Sequence, residues 1–256
     1  MNLLPIAGVW VCESSHGYRA RLRAFVADFI DVAPALNSYN DIPSLYGDQS
    51  SATSQPVECL LVVDSGYSHT TVTPLIKGHP IQEAIRRLDI GGKFLTNYLK
   101  ELISIRHFNV TDEPWLVNDI KEATSFVSQD FAKDLEMTWK GRQRNRRTAD
   151  SSIVVDYVLP DYETRHHGIV RTHDPDAAKR NTTGAAREPV LTLKNERFAV
   201  PELLFNPGDV GMKEAGTPWV IMQSVNTLPA ELRPAMLANV VVVGGNANIP
   251  GFMDRL

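Results

Sequence analysis

The stretch Cys59-Leu60-Leu61-Val62-Val63-Asp64-Ser65-Gly66 is a continuous apolar run that stops at a carboxylate, a hydroxyl and a glycine. Such a run is typical of a buried strand that ends at a tight turn. Residues 70–76, which are rich in β-branched side chains, predict a second strand directly after the turn. We therefore expect a β-hairpin whose tip carries one carboxylate, that of Asp64.

The carboxylate of Asp64 has two interpretations. It can hold a hydrated divalent cation, because Mg²⁺ often takes one or two carboxylates and keeps its waters. Alternatively, it caps the turn by accepting hydrogen bonds from backbone N–H groups. The residues alone favour the cap.

A second glycine turn follows an apolar strand near the end of the chain. Residues 239–243 predict a strand that runs into Gly244-Gly245-Asn246, and Pro250-Gly251-Phe252 can open a helix soon after it. Glycines let backbone N–H groups approach an anion, and a helix start adds donors and the positive end of a dipole. Most turns of this kind bind nothing, and the sequence contains neither a Walker-type loop nor a Gly-x-Gly-x-x-Gly motif.

One long helix is predicted in the middle of the chain. Thr111 or Asp112 can cap it, and a proline falls in its first turn. One apolar face runs through residues 120–135, so the helix should end before Gly141.

Shorter elements surround this helix, and their alternation argues for an α/β architecture. Strands are predicted at 84–90, which ends at Gly91-Gly92, at 153–159 and at 190–193, which turns through Lys194-Asn195 into 197–200. Helices are predicted at 94–103, 201–205, 218–225 and 229–237. The basic run 140–147 and the polar stretch 172–189 have no period and are predicted to be loops.

Composition narrows the classes of function. The chain has 256 residues, of which 43% are hydrophobic, as expected for a globular protein. A formal charge of −4 argues against a nucleic-acid binder held by a general basic surface.

Two cysteines suit a reducing compartment, and the apolar stretch 3–12 is too short to span a bilayer. His166-His167 has no further ligands at metal spacing and is expected to be exposed.

Motifs in the order found in actins give the chain a resemblance to that family. They are Val62-Val63-Asp64-Ser65-Gly66, the segment 87–99, Asp119-Ile120-Lys121-Glu122, Asn195-Glu196-Arg197-Phe198 with 201–205, and Gly244-Gly245-Asn246 with Pro250-Gly251-Phe252. The set most resembles the sixth class of actin-related proteins, judged by Tyr67-Ser68-His69-Thr70, by 157–161 and by the Gly-Gly-Asn loop.

The resemblance implies an actin-like, ribonuclease-H-like nucleotide-binding fold over residues 57–256, with a second, smaller α/β subdomain. Residues 91–200 would form the inserted larger-lobe region, with a loop at 140–152 and a polar insertion at 172–189. Residues 1–56 are poorly assigned, and the first phosphate loop of the family is not found among residues 1–35. The chain also stops at Leu256, soon after the adenosine loop, so we expect a fold that is incomplete at both ends.

The resemblance also implies a site for ATP or ADP with Mg²⁺. Asp64 would lie near the metal-bound phosphates and contact the metal through water, and Glu122 would bind the ribose hydroxyls. The other implied cofactor-binding residues are Ser65 and Gly66 beside a phosphate, Gly92 and Lys121 by the base, and Gly244, Gly245 and Asn246 against the nucleotide.

Three positions depart from the actin pattern. Actins have a second aspartate where this chain has Tyr67, and a histidine that orders the attacking water where it has Thr71. His69 does not replace that histidine, because the segment 64–74 has the actin length. Ile249 stands where actins pack an aromatic ring on adenine. Losing a residue that positions water costs hydrolysis more than binding, so we expect slow or absent turnover and no catalytic residue.

In the family, the sixth class is a subunit of the remodelling complex that exchanges a histone variant into nucleosomes. The resemblance therefore implies a nuclear, non-polymerising assembly subunit, with the cytoplasm as an additional location and no membrane contact. Other subunits, and nucleosomes or histones, would be its partners. The alternatives are a cytoskeletal actin-like ATPase, which would share Asp64, Glu122 and Gly244-Gly245, and a remnant that binds no nucleotide.

Overall fold

The structure is a computed structural model that describes residues 3–6 and 9–12 by their backbone, and residues 58–140, 153–163, 165–173 and 189–256. The basic run and most of the two predicted loops, 140–152 and 172–189, lie outside these ranges. The chain divides into two compact units, Met1–Gly91 with Ala215–Asn248, and Gly92–Glu214 with Ile249–Leu256. Each unit combines a sheet with helices, which confirms the α/β class.

The first unit is built on a sheet of the order β1-β2-β10-β3-β4-β5, with β6 paired to β4. Its strands are β1 Leu3–Ile6, β2 Val9–Cys12, β3 Cys59–Ser65, β4 Thr70–Ile76, β5 His79–Pro80, β6 Arg86–Leu88 and β10 Val240–Val243. The pair of β3 and β4 is antiparallel, which confirms the hairpin. Leu61 and Val63 are fully buried, as the apolar run indicates.

The strand β10 lies between β2 and β3 and is parallel to both. The register places Cys12, Val243 and Asp64 in one row, so these strands end at the same edge of the sheet. Ligand sites of parallel sheets form at such an edge, because the loops that follow the strands meet there.

Three strands of this sheet were not predicted, namely β1, β2 and the two-residue β5. The segments β1 and β2 form an antiparallel hairpin within residues 1–56, and β2 then pairs with β10 from the far end of the chain. Local patterns in four-residue strands are weak, and the pairing that orders them is not visible in the neighbouring sequence.

Helices α5 Thr217–Thr227 and α6 Arg233–Ala238 complete the first unit, close to their predicted positions. The buried face of α5 packs on β4 and β6, and Ser224 Oγ donates a 2.7 Å hydrogen bond to the carbonyl of Ala84. The strand predicted at 84–90 is shorter, because residues 82–84 form a 3-10 turn before β6.

The second unit contains a sheet of the order β8-β7-β9 and five helices among its described residues. The strands are β7 Val155–Val158, β8 Ile169–Thr172 and β9 Val190–Leu193. The helices are α1 Gly92–Arg106, α2 Pro114–Thr124, α3 Phe131–Lys140, α4 Glu196–Glu202 and α7 Phe252–Arg255. None of the helices in the described parts of the chain is long and apolar enough to cross a membrane.

The prediction of one long helix ending before Gly141 was wrong. The helix ends at Thr124, because Ser125 is extended with φ −77° and ψ 148°. The next two N–H groups then bond to the carbonyls of Arg197 and Pro250 instead of to carbonyls of the preceding turn. Hydrogen bonds to residues distant in sequence therefore end the helix, even though the apolar pattern continues along the chain. The predicted caps were also wrong, since Glu113 occupies the N-cap position without a side-chain hydrogen bond.

The prediction that 190–193 turns into a second strand at 197–200 was also wrong. β9 ends as predicted, but helix α4 begins at Glu196. Glu196 is buried, and its Oε2 accepts the N–H of Lys194 at 2.8 Å, which stabilises the helical start. Strand β8 was not predicted, and all of its residues are exposed, so they carry no burial pattern.

Candidate functional site

The hairpin tip of β3 and β4 lies against the paired-glycine bend that follows β10. Val243 is the register partner of Asp64 in the parallel pair of β10 and β3. The side-chain amide of Asn246 donates to Ser65 Oγ at 3.1 Å and to the carbonyl of Gly66 at 2.9 Å. Two turns separated by some 180 residues are therefore tied together.

A directed chain of hydrogen bonds fixes this contact. Thr70 Oγ1 donates to the carbonyl of Ile90 at 3.0 Å, so its 3.0 Å contact with Ser65 requires the Ser65 hydroxyl to donate. Ser65 in turn accepts from Asn246. Because Ser65 and Thr70 are fully buried, the side chains of Ser65 and Asn246 hold the two turns in place. Any contact of Ser65 or Asn246 with a cofactor would therefore use atoms that these hydrogen bonds do not occupy.

The glycines of the two turns differ in what the fold requires of them. Gly244 has φ +101°, and a Cβ there would lie 2.2 Å from the carbonyl oxygen of Ser65, so glycine is needed for packing. Among the residues that the structure describes, a Cβ at Gly245 would meet nothing within 4 Å, and one at Gly66 would make only ordinary contacts at 3.6 Å. Neither of these two has a left-handed φ. Packing within the described part of the chain therefore explains Gly244 but not Gly66 or Gly245.

The carboxylate of Asp64 is half-buried at the hairpin tip. Burial raises its pKa above the usual value, and the charge of nearby His69 partly opposes that shift. No described residue donates a hydrogen bond to this carboxylate, so the cap interpretation finds no support there. It is the kind of oxygen ligand that a hydrated Mg²⁺ accepts.

Two departures from the actin pattern lie beside this carboxylate. Thr71 is directly opposite Asp64 in the ladder of β3 and β4, and Tyr67 is 56% exposed at the tip. His69 Nδ1 shares a 2.8 Å hydrogen bond with Ser68 Oγ. The sequence did not predict that His69 would lower the pKa of Asp64. The length of the segment 64–74 showed only that His69 does not occupy the position of the actin histidine.

The other predicted site residues, Gly92, Lys121 and Glu122, lie in the second unit. The buried ammonium of Lys121 donates to the carbonyl of Gly92 at 3.3 Å, to Thr96 Oγ1 at 3.0 Å and to Asn118 Oδ1 at 2.9 Å. These bonds use all three of its hydrogens, so Lys121 links α1 to α2. Burial lowers its pKa, and Glu122 opposes the shift.

The carboxylate of Glu122 is open to a ligand. It is exposed, and its Oε1 accepts a 2.7 Å hydrogen bond from the side-chain amide of Asn118. The side chain of Lys121 therefore has a structural position, whereas Glu122 keeps the capacity to accept hydrogen bonds from ribose hydroxyls.

A second polar cluster in the same unit was not predicted. Asp119 accepts hydrogen bonds from the hydroxyl of Tyr157 and, at 3.2 Å, from the N–H of Gly168, and its Oδ1 lies 2.8 Å from His167 Nδ1. Burial alone would raise the pKa of Asp119, but these hydrogen bonds hold it below the usual value. Burial and the carboxylate together raise the pKa of Tyr157. His167 is exposed as predicted, but nothing in the sequence indicated that Asp119 would be its partner.

Among the described residues, no group of three or more histidine, cysteine, aspartate or glutamate side chains could hold a metal ion directly. Cys59 is a free, half-buried thiol.

Comparison with known proteins agrees with the motifs. The actin family model matches residues 24–256. An actin-like protein arp6 of Aspergillus fumigatus is 56% identical over 238 residues, covering 88% of this chain and 51% of that protein. Actin-related protein 6 of Neurospora crassa is 48% identical over 236 residues, covering 91% and 53%. The protein of that name in Drosophila melanogaster is 41% identical over 204 residues, covering 80% and 49%.

The chain spans about half the length of the curated relatives it matches. Their names correspond to the sixth class, which Tyr67-Ser68-His69-Thr70 and the Gly-Gly-Asn loop had indicated. Both the resemblance and the actin-like fold are confirmed, because the family model covers most of the chain, including every motif that carried them. The chain belongs to the actin family.

Proposed function

We propose that this actin-related chain is a non-polymerising subunit of a nuclear complex that remodels chromatin by exchanging a histone variant. We also propose that it binds ATP or ADP with Mg²⁺ as a structural ligand, with little or no hydrolysis. The names of its relatives and the motifs of the sixth class support the first part. The geometry of the hairpin tip supports the second.

The observation that carries the nucleotide proposal is the pair of glycines, Gly66 and Gly245, beside a carboxylate to which no described residue donates a hydrogen bond. The described residues leave room for a Cβ at Gly66 and at Gly245, so packing against them does not exclude alanine at either position. Glycine at both positions is consistent with a phosphate that approaches the backbone. Asp64 adds a carboxylate for the hydrated metal ion that accompanies such phosphates.

The residues around Asp64 also support slow hydrolysis. Thr71, opposite Asp64, carries a hydroxyl where an imidazole would order the attacking water, and Tyr67 carries no carboxylate. A nucleotide held here would be oriented by Asp64 and by backbone N–H groups without a side chain that positions water.

Alanine substitutions test the nucleotide proposal by calorimetric titration of the full chain with Mg–ATP and Mg–ADP. Gly245→Ala should keep the wild-type melting temperature and lower the affinity by at least about tenfold, because a Cβ would occupy the space of the phosphate. Gly208→Ala is the matched control, since Gly208 also has nothing within 4 Å and lies in the other unit. Equal affinity for wild type and Gly245→Ala would favour a remnant that binds no nucleotide there.

The ribose assignment has its own test. Glu122→Ala should lower nucleotide affinity by about tenfold, the value of one hydrogen bond to a charged group, with little loss of stability because Glu122 is exposed. Ala123→Ser is a control at an exposed neighbouring position of the same helix. Unchanged affinity in Glu122→Ala would refute the assignment.

The assembly proposal is tested by purifying the tagged chain from nuclear extract. A remodelling ATPase and the exchanged histone variant should copurify in fixed stoichiometry, and loss of the chain should lower the amount of that variant in chromatin. Copurification with cytoskeletal filaments instead would support the alternative of an actin-like ATPase.

A further inference from the structure

A half-buried asparagine links two predicted site residues of helix α2. Asn118 precedes Lys121 and Glu122 by three and four residues, so the three side chains share one face of the helix. Its Oδ1 accepts a 2.9 Å hydrogen bond from the ammonium of Lys121, and its Nδ2 donates a 2.7 Å hydrogen bond to Glu122 Oε1. One planar amide therefore joins a buried cation to an exposed carboxylate.

The ammonium fixes the orientation of this amide. Because an ammonium only donates, the atom of Asn118 that faces Lys121 must be the carbonyl oxygen. The amide nitrogen is then directed toward Glu122, whose carboxylate only accepts. The reverse orientation would place donor against donor at one end and acceptor against acceptor at the other, so it would lose both hydrogen bonds.

The ammonium is itself held by the neighbouring helix. Lys121 also donates to the carbonyl of Gly92 at 3.3 Å and to Thr96 Oγ1 at 3.0 Å. The hydroxyl of Thr96 donates in turn to the carbonyl of Gly92 at 2.9 Å. The backbone of α1 therefore determines the position of the Lys121 ammonium, and through it the position of the Asn118 amide.

This network restricts the carboxylate of Glu122 before any ligand binds. An exposed glutamate otherwise samples many rotamers, and the loss of that freedom on binding opposes affinity. Both ends of the Asn118 amide bond to a charged group, and such hydrogen bonds are stronger than neutral ones. The bond from Asn118 uses one of about four lone-pair sites of the carboxylate, so sites remain for the hydroxyl groups of a sugar.

We propose that Asn118 is a positioning residue that holds Glu122 in the orientation that accepts ribose hydroxyls. It thereby makes the site selective for ribonucleotides over nucleotides that lack these hydroxyls. This inference rests on the proposed binding of ATP or ADP. Asn118 acts through Glu122 and does not itself contact the nucleotide. A site that hydrogen-bonds a hydroxyl rejects the analogue without it, because the polar group of the protein is then left unpaired.

Asn118→Asp tests the proposal with little change in the shape of the side chain. The new carboxylate still accepts from Lys121, but it replaces the donor that faces Glu122 with an acceptor, so it should turn Glu122 away. Calorimetric titration of the full chain with Mg–ATP and with Mg–2′,3′-dideoxy-ATP gives the ratio of the two dissociation constants. We expect a ratio of at least about ten for the wild type, the value of one hydrogen bond to a charged group, and of less than about three for Asn118→Asp.

Thermal stability separates positioning from a purely structural role. The melting temperature of Asn118→Asp should stay within about 2 °C of the wild-type value, because the bond to Lys121 becomes an ion pair while the pair with Glu122 becomes repulsive. Asn118→Ala removes both hydrogen bonds and should lower the ratio equally, so it keeps the test informative if Asn118→Asp does not fold. Asn226→Asp is the matched control, because it adds the same charge at an exposed helical position of the other unit and should leave the ratio unchanged.

A double variant shows whether Asn118 acts through Glu122. The ratio should already be low in Glu122→Ala, and adding Asn118→Asp should not lower it further. A further decrease in the double variant would mean that Asn118 contacts the sugar directly, and it would overturn the positioning role.

The remaining outcomes distinguish this inference from the proposed function. A ratio that is unchanged in both Asn118→Asp and Asn118→Ala would overturn the positioning role and leave nucleotide binding intact. Equal affinity of the wild type for the two nucleotides would overturn the ribose selectivity alone. If the wild type bound neither nucleotide, the proposed nucleotide function would be wrong, and this inference with it.

Discussion

The carboxyl group of Asp64 lies where burial raises its pKa above the ordinary value of 3.8, although His69 opposes the shift. A raised folded-state pKa means that the folded protein holds its proton more tightly than the unfolded chain. This stabilisation is complete below the unfolded pKa and is lost as the pH rises through the folded pKa. At neutral pH, the charged Asp64 is therefore unfavourable in the protein without a cation.

We expect Asp64→Asn to raise the melting temperature of the nucleotide-free protein at pH 7 and to weaken Mg²⁺-dependent nucleotide binding. The gain in melting temperature should shrink as the pH falls toward the unfolded pKa, because both forms are then neutral. Differential scanning calorimetry between pH 4 and pH 7 measures the first effect and titration with Mg–ADP the second. A lower melting temperature for Asp64→Asn at pH 7 would contradict the burial argument.

Gly168 is required by the ring of Tyr157. A Cβ at residue 168 would lie 2.1 Å from Tyr157 Cζ, inside van der Waals contact. Gly168→Ala should lower the free energy of unfolding by about 1–3 kcal/mol, the usual cost of overpacking. In a Tyr157→Val background the same substitution should cost almost nothing, and chemical denaturation of the four proteins gives the coupling energy. Additive effects would show that the ring is not the obstacle.

At the scale of elements, side chains rather than backbone ladders join the short helices. Arg255 of α7 donates to both carboxylate oxygens of Glu202 in α4, at 3.0 Å and 2.8 Å, and its guanidinium lies 5.2 Å from the ring centroid of Phe205. Glu202 is 1% exposed, so its charge depends on this partner. A four-residue helix with little hydrogen bonding of its own is held in place by this pair.

Arg255→Met should destabilise the protein by about 3–5 kcal/mol, because it leaves a buried carboxylate without a counter-charge. Adding Glu202→Gln should recover most of that loss, since a neutral amide still offers an acceptor and needs no cation. Urea denaturation measures both changes, and amide exchange in α7 reports its release. A double variant as unstable as Arg255→Met alone would assign the loss to packing of the arginine instead.

At the scale of the whole molecule, the proposed nucleotide acts through mass action. A ligand that binds only the folded state adds about 2.7 kcal/mol at a hundred times its dissociation constant. Mg–ADP at that excess should therefore raise the melting temperature by several degrees, given about 2–4 °C per kcal/mol for a domain of this size. Gly245→Ala should abolish most of the shift. A shift that persists in Gly245→Ala would place the ligand elsewhere.

The same molecule should neither release phosphate at a measurable rate nor sediment when salt and Mg²⁺ are added. Thr71 and Tyr67 leave Asp64 without the groups that would order water. Phosphate release and pelleting, measured in parallel with a filament-forming actin, decide between assembly subunit and cytoskeletal ATPase. Turnover comparable to that of the actin control would exclude the structural role.

The sequence by itself determined the hairpin of β3 and β4, the carboxylate at its tip and the strand β10 with its glycines. Continuous apolar runs that end at Gly or Asp-Ser-Gly specify buried strands and turns through local patterning alone. The family motifs then identified the fold, because their order does not depend on any contact.

Only the tertiary structure decided which local preferences were overridden. Glu196 begins a helix where a strand was expected, and its carboxylate accepts the N–H of Lys194, a contact within the same turn. The predicted long helix breaks at Ser125, because carbonyls distant in sequence accept the next two N–H groups. The pairing of β2 with β10 and the bond from Asn246 to Ser65 have the same origin. The pattern of residues along a chain indicates which side chains prefer to be buried. It does not indicate which acceptor, distant in sequence, will bond to each donor, and such bonds determine the geometry of the candidate site.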